Sequence, residues 1–247
     1  MGLLDWLKNR NQETRPFVSA IIAAAGGGTR MGDVCPEGKQ LALLGEIPVI
    51  VHSLMQFESC EGVDEMIVVA REQDLVPLAD HVKEAGLTKV RMIIKGGSTR
   101  QQSVYIGLSQ CDSAAQLICI HDGARPFIEP ERIQAVLDAA WQYGGAATGT
   151  RVKDTLKRVD ENGVVLGTLD RSSIWAVQTP QAFRADEYRA AMAAAISAGR
   201  DYTDDCQLFE QLGRQVRMVE GSYHNLKLTT PEDLDFATYL LEEGEAL

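Results

Sequence analysis

The stretch VSAIIAAAGGGTRMG, residues 18–32, decides how the rest of the chain is read. Val18 to Ala25 is a short continuous apolar run, the pattern of a strand covered on both faces rather than one. Gly26, Gly27 and Gly28 follow it directly, and Arg30 comes two positions later. Glycines let backbone N–H groups come close to an anion, and an arginine in the same turn adds a full positive charge. Three consecutive glycines also cost conformational entropy, which argues for a ligand rather than a mere turn. The stretch reads as a buried strand feeding an anion-holding loop.

Two familiar glycine loops do not fit. G-x-x-x-x-G-K-[ST] lacks its lysine here, and G-x-G-x-x-G meets Met31 at its third glycine. Arg30, with Lys39 shortly after, suits a triphosphate better than a nicotinamide dinucleotide.

Working outward, strand and helix patterns alternate. Residues 48–57 read as a helix with Pro48 in its first turn. Residues 65–70 read as a strand, 75–85 as a helix and 90–94 as a strand. GGSTR then makes a second glycine turn at Gly96-Gly97, followed by a helix over 103–109. LICI, residues 117–120, is another buried strand, closed by His121-Asp122-Gly123, and residues 130–141 have helical apolar spacing. This alternation predicts an α/β fold of three layers around a mostly parallel, Rossmann-like sheet.

The middle of the chain breaks the rhythm. Two β-prone runs, 152–159 and 164–169, flank Asp160-Glu161-Asn162-Gly163, and Asn-Gly between such runs signals a hairpin. Its few large apolar residues set it apart from the main core, as an arm or a solvated edge hairpin. A helix over 185–198, another over 204–212 and a strand at VRMVEG follow. Thr230 before Pro231-Glu232-Asp233 reads as a helix N-cap.

Composition narrows the function. The 247 residues carry a net charge of -11, so nothing favours nucleic acid or an anionic membrane. The five cysteines are widely spaced without a CxxC, which points to a reducing compartment, and the four histidines form no HExxH zinc pattern. Residues 1–16 read as a short amphipathic extension without the apolar core of a signal peptide, residues 17–247 as a single domain, and a cytoplasmic location is expected. Two further candidates arise from placement. Asp122 ends a buried strand, where ligands gather in parallel sheets, or else pairs with Arg125 in a turn. Lys227, between Leu226 and Leu228, alternates to the opposite face of a short strand. Thr155 and Arg171 say little in isolation.

Taken together, AAAGGGTRM, Lys39-Gln40, GGSTRQQSV, HDGARPF, VKDTLKRV, LDRSSIWAVQTPQAF, YTDDCQLFEQLG and NLKLTTPEDL stand in one order from about Val18 onward. In these segments the chain resembles the 2-C-methyl-D-erythritol 4-phosphate cytidylyltransferase family of the non-mevalonate isoprenoid pathway. The resemblance implies a nucleotidyltransferase-type fold and a homodimer in which a hairpin arm at about 150–172 completes the partner's site. It implies triphosphate binding by Gly26, Gly27, Gly28, Arg30 and Lys39. It implies cytidine binding by Ala24, Ala25, Gly97, Ser98 and Ser103, with Asp122 and Gly123 at the ribose and the metal-bound phosphate. Acceptor binding falls to Asp122, Arg125, Thr155, Arg171, Thr179, Thr203 and Lys227, and catalysis to Arg30, Lys39, Arg171 and Lys227. The implied cofactor is Mg²⁺ or another divalent cation, held mainly by CTP phosphates and water and without a protein ligand of its own. The segment MGDVCPEG between Arg30 and Lys39 is slightly longer than the family's usual spacing. Two alternatives stand beside this: a cytidylyltransferase for another polyol phosphate such as ribitol 5-phosphate, and a nucleotide-binding module without chemistry. If Arg30 stabilises the transition state, Arg30→Ala lowers kcat by about 10²-fold or more, the scale of one lost oxyanion donor. Near-normal turnover of that variant in a pyrophosphate-release assay would refute the role.

Overall fold

The computed structural model describes residues 15–26 and 40–244; Gly27, Gly28, Arg30 and Lys39 lie outside the described residues. The strand β1 (Val18–Ala24) is central in a seven-stranded sheet. Val18, Ala20, Ile22 and Ala24 enter the core on one face, while Ile21 and its flanking Ala23 and Ala25 face the other. The continuous apolar run is thus the mark of a strand buried on both sides.

A two-stranded ribbon, β2 (Leu43–Leu44) with β3 (Ile47–Pro48), leads into α1 (Val49–Ser59). Then come β4 (Glu65–Ala70), α2 (Leu75–Glu84), β5 (Val90–Lys95), α3 (Arg100–Leu108), β6 (Leu117–Asp122) and α4 (Pro130–Tyr143). The expected alternation is present. α3 begins earlier than the apolar spacing indicated, because Thr99 caps it by accepting from Gln102 N–H at 3.1 Å. β6 extends through His121 to Asp122 rather than stopping at Ile120.

The remaining elements are β7 (Gly145–Arg151), β8 (Lys157–Val159), β9 (Val165–Thr168), β10 (Trp175–Arg184), α5 (Ala185–Ser197), α6 (Asp205–Glu210), β11 (Arg217–Glu220) and α7 (Pro231–Glu242). The sheet runs β11-β7-β10-β6-β1-β4-β5. Its pairs are parallel except those of β10, which is antiparallel to both neighbours. Pro180 lies within β10 at a register shift between Val177 and Gln181, where the missing N–H is tolerated. α1, α2 and α4 cover one face; α3, α5 and α6 cover the other.

The hairpin predicted over 152–169 is regular only across β8 and β9, which form their own two-stranded sheet. Asp160 organises its turn by accepting from Asn162 and Val164 N–H, and Gly163 adopts φ +80°. Val159, Val164, Val165, Leu166 and Leu169 are all exposed, so the arm contributes nothing to the chain's own core. Just before β1, Arg15 clamps Asp64 with both terminal nitrogens, at 2.8 and 2.7 Å.

Candidate active site

Parallel strands leave a crevice beyond their carboxyl ends where the chain's winding reverses. Here β1 leads outward to β4 and β5, and the chain then returns to place β6 on the other side of β1. Register sets Ala23 beside Asp122, and Gly123 N–H donates to Ala23 C=O at 3.0 Å. The cleft above this point is lined by Ala23, Ala25, Gly26, Gln40, Gly97, Ser98, Thr99, Arg100, Ser103, Asp122, Ala124 and Lys227.

One wall is the turn at the head of α3. Ser103 Oγ accepts from Gly97 N–H at 3.2 Å and donates to Thr99 C=O at 2.9 Å. Ser98 N–H and its hydroxyl both donate to Gln102 Oε1, at 3.1 and 2.8 Å. A Cβ at Gly96 would sit 2.4 Å from Ala25 Cβ, so only glycine lets this turn close against the end of β1.

The floor is electrostatic. Asp122, 7% exposed, has three cations on its carboxylate. Lys227 Nζ is 2.8 Å from Oδ2, Arg125 Nε 3.7 Å from Oδ2 and Arg100 Nε 3.4 Å from Oδ1. Burial alone would raise the carboxyl's pKa, but Arg100, Lys227 and Arg125 outweigh it and hold Asp122 ionised, well below the usual carboxylate range. Arg100 is braced from behind by Asp205, whose Oδ2 lies 2.7 Å from Nη1. Asp205 is itself buried, accepts from the Tyr188 hydroxyl and donates its N–H to Gln181 Oε1 at 3.1 Å.

Behind Asp122 the polar groups are matched one to one. Thr179 Oγ1 accepts from Asp122 N–H at 3.0 Å and lies 3.1 Å from His121 Nδ1. The hydroxyl proton therefore goes to Nδ1, and the imidazole carries its own proton on Nε2, which donates to Arg125 C=O at 3.2 Å. Burial pushes His121 down to about 3, so it is neutral at physiological pH.

The expected residues fall into four groups. Ala25, Gly26, Gly97, Ser98, Ser103, Asp122 and Lys227 line the cleft, while Gly123 and Arg125 lie immediately beneath it. Ala24 points its side chain into the opposite core, and Thr179 turns its hydroxyl inward. Thr203 is exposed just before α6, its hydroxyl 3.3 Å from Gln207 Oε1. Thr155 and Arg171 sit on the arm, exposed, and do not reach this chain's own cleft. Lys227 is not on a strand as its alternation suggested. Residues 225–229 are irregular, held down by Leu228 N–H on Ala124 C=O and by Arg125 Nη1 on Asn225 C=O, at 2.9 and 2.7 Å. Arg100 was missed. The signal was present, since GGSTR at 96–100 repeats the text of GGGTR at 26–30 with one substitution.

A mostly parallel sheet with a basic, glycine-walled cleft at its switch point is the layout of a nucleotidyltransferase, and comparison with known proteins makes the class specific. The family model for 2-C-methyl-D-erythritol 4-phosphate cytidylyltransferase matches residues 18–243. The chain is 42% identical over 226 residues to the enzyme of that name from Pelotomaculum thermopropionicum, covering 91% of this chain and 94% of that protein. It is 44% identical over 222 residues to its namesake from Geobacillus thermodenitrificans, covering 90% and 96%. Among solved structures, the 4-diphosphocytidyl-2C-methyl-D-erythritol synthase of Anaerococcus prevotii superposes with a TM-score of 0.81 at 33% identity, over 92% of this chain and 96% of that one. The cytidylyltransferase of Thermus thermophilus gives 0.75 at 30%, over 92% and 99%. The chain belongs to the 2-C-methyl-D-erythritol 4-phosphate cytidylyltransferase family.

His121 gives a pH test. Its folded pKa lies below its ordinary value of 6.5, so between pH 6.5 and about 3 the unfolded chain binds the extra proton. This contribution is complete above pH 6.5 and is lost on acidification, at up to about 1.4 kcal/mol per pH unit. His52 shifts in the same direction by burial, so the comparison is between variants. In denaturant titrations of the ligand-free, metal-free protein, His121→Gln is expected to flatten the acid slope by close to one proton. An unchanged slope would mean that His121 is not held neutral.

Proposed function

We propose that this chain transfers the cytidylyl group of CTP to 2-C-methyl-D-erythritol 4-phosphate and releases pyrophosphate. Family membership over residues 18–243 supports the chemistry. The observation that carries it to this cleft is the ring of Arg100, Arg125 and Lys227 around Asp122 at the carboxyl end of β6.

In the reaction an acceptor phosphate oxygen forms a bond to the α-phosphorus of CTP while the bond from that phosphorus to the bridging oxygen of the β-phosphate breaks. Pyrophosphate carries the electron pair away. The acceptor phosphate is already ionised, so no side chain need act as nucleophile or strong base. The obstacle is repulsion between two polyanions, and the protein's task is positioning and charge neutralisation.

Ala25, Gly97, Ser98 and Ser103, which line the cleft, are read as its nucleoside side, and Gly26, Gly27 and Gly28 as the triphosphate loop. Arg30 and Lys39 neutralise the triphosphate. Gly123 leaves room beside Asp122, since a Cβ there would lie 3.2 Å from Gln40 Oε1 and from Ile50. Arg125, Lys227 and Thr203 take the acceptor side, and Thr179 acts through the Asp122 backbone that it fixes. Thr155 and Arg171 serve the partner subunit of a homodimer, with residues 17–247 as one domain and the exposed apolar arm as its dimer contact.

A divalent cation such as Mg²⁺ fits this donor set. Among the described residues no cluster of three or more His, Cys, Asp or Glu could cage an ion, and Asp122 is the carboxylate that lines the cleft. Bound there, the ion would rest chiefly on substrate phosphates and water, with Asp122 beside it, and would neutralise phosphate charge. Action in the cytoplasm is part of this reading; separately, no described helix is long and apolar enough to cross a membrane.

Pyrophosphate release should require both CTP and 2-C-methyl-D-erythritol 4-phosphate, and fall sharply with ATP, GTP, UTP or ribitol 5-phosphate. Faster turnover with ribitol 5-phosphate would reassign the acceptor, and nucleotide binding without turnover on any acceptor would make this a binding module. If sites are shared, Arg30→Ala and Arg171→Ala chains, each nearly inactive alone, regain activity on mixing into heterodimers. Verified heterodimers without recovery would place each site within one chain.

A further inference from the structure

Asp122 and Lys227 are both expected to meet substrate, yet in this state they satisfy each other. Lys227 Nζ donates to Asp122 Oδ2 at 2.8 Å, and its side chain is 37% exposed, against 12% for Arg125 and 26% for Arg100. Lys227 is thus the cation freest to swing away. It also sits on an irregular segment, whereas Arg100 opens a helix and Arg125 is tethered through Asn225 C=O.

Removing one cation from a buried carboxylate is expensive unless another keeps it neutralised. Arg125 is poorly placed to do so. Its Nε lies 3.7 Å from Oδ2, on the same oxygen that Lys227 occupies, and has no hydrogen-bond partner. Arg100 approaches the other oxygen, Oδ1, and cannot drift, because Asp205 grips its Nη1 at 2.7 Å. Asp205 is held in turn by Tyr188 and by Gln181, which accepts from the Asp205 and Cys206 N–H groups at 3.1 Å each. The planar guanidinium therefore spans two carboxylates through two different nitrogens in a fixed geometry, which the point charge of a lysine on its flexible stem does not reproduce.

We propose that Arg100 is a positioning residue: braced by Asp205, it keeps the Asp122 carboxylate neutralised so that Lys227 can leave it for the incoming acceptor phosphate. The inference rests on the cytidylyltransferase reading above. Without Arg100, Asp122 holds Lys227 more tightly, and the acceptor must compete for it. CTP, which meets the glycine walls, is affected much less.

The test uses the full-length enzyme with CTP and 2-C-methyl-D-erythritol 4-phosphate. Wild-type turnover establishes the underlying reading, and failure at that stage would sink the reading rather than the inference. Arg100→Lys is expected to raise KM for the acceptor by about tenfold or more, the scale of one charge-assisted interaction, and to leave KM for CTP within about twofold. Asp205→Asn, which keeps Arg100 and the Tyr188 contact but weakens the brace, should shift acceptor KM in the same direction. In a Lys227→Met background, neither substitution should raise acceptor KM further, because no lysine remains to be released. Equal losses for CTP and acceptor, or full additivity with Lys227→Met, would overturn the proposal and leave Arg100 a structural ion pair. Thermal melts of each variant separate unfolding from these outcomes.

Discussion

One ionised carboxylate, buried at the end of a central strand, organises this molecule. Asp122 cannot keep its charge inside the fold without cations, and two of its three come from distant parts of the chain. Arg100 opens a helix after the second glycine turn, Arg125 follows the strand itself, and Lys227 arrives about a hundred residues later. A buried charge that loses a partner is strongly destabilising, so this requirement pins the 221–230 segment to the head of β6. The same cation excess, drawn together in a chain of net charge -11, lets an otherwise acidic protein receive polyanions.

Around that centre, function depends on space as much as on charge. Gly96 allows its turn to touch Ala25, and Gly123 leaves room beside Gln40 and Ile50. Side chains that do not face the cleft still shape it. Thr179 and His121 hold the Asp122 backbone with a complete set of matched donors and acceptors, and the resulting neutral imidazole adds no fourth positive charge. The arm answers a different constraint. Its valines and leucines are exposed and its strands pair only with each other, so they find no apolar cover within their own chain. Large apolar side chains clustered in this way mark a surface meant to be covered.

Much of the parallel half of the sheet was legible because its strands are apolar on both faces and its helices have clear spacing. β7 and β10 were not. GAATGTR is built of small residues with no alternation, and Pro180 inside WAVQTPQAFR speaks against a strand until the register shift that accommodates it is seen. Lys227 looked like a strand residue because its neighbours alternate in polarity. That alternation instead reflects Leu228 packing under α7 while Lys227 turns to Asp122. Arg100 was overlooked because the apolar spacing starts the helix at 103 and leaves this arginine in a turn, whereas the structure puts it in the helix's first turn, facing Asp122.

By itself the sequence determined the α/β class, the glycine turn at Gly96-Gly97, the separateness of the arm and, through the ordered motifs, the family. These are local or pattern properties: burial on both faces, backbone freedom, and residue order leave their mark on neighbouring letters. Tertiary structure alone decided that Arg100 and Lys227 join Arg125 on Asp122, that Thr179 faces inward, and that Asp205 braces Arg100. Each depends on through-space distances of a few ångströms between segments far apart in the chain, and electrostatics in a buried site is set by those distances, not by sequence separation.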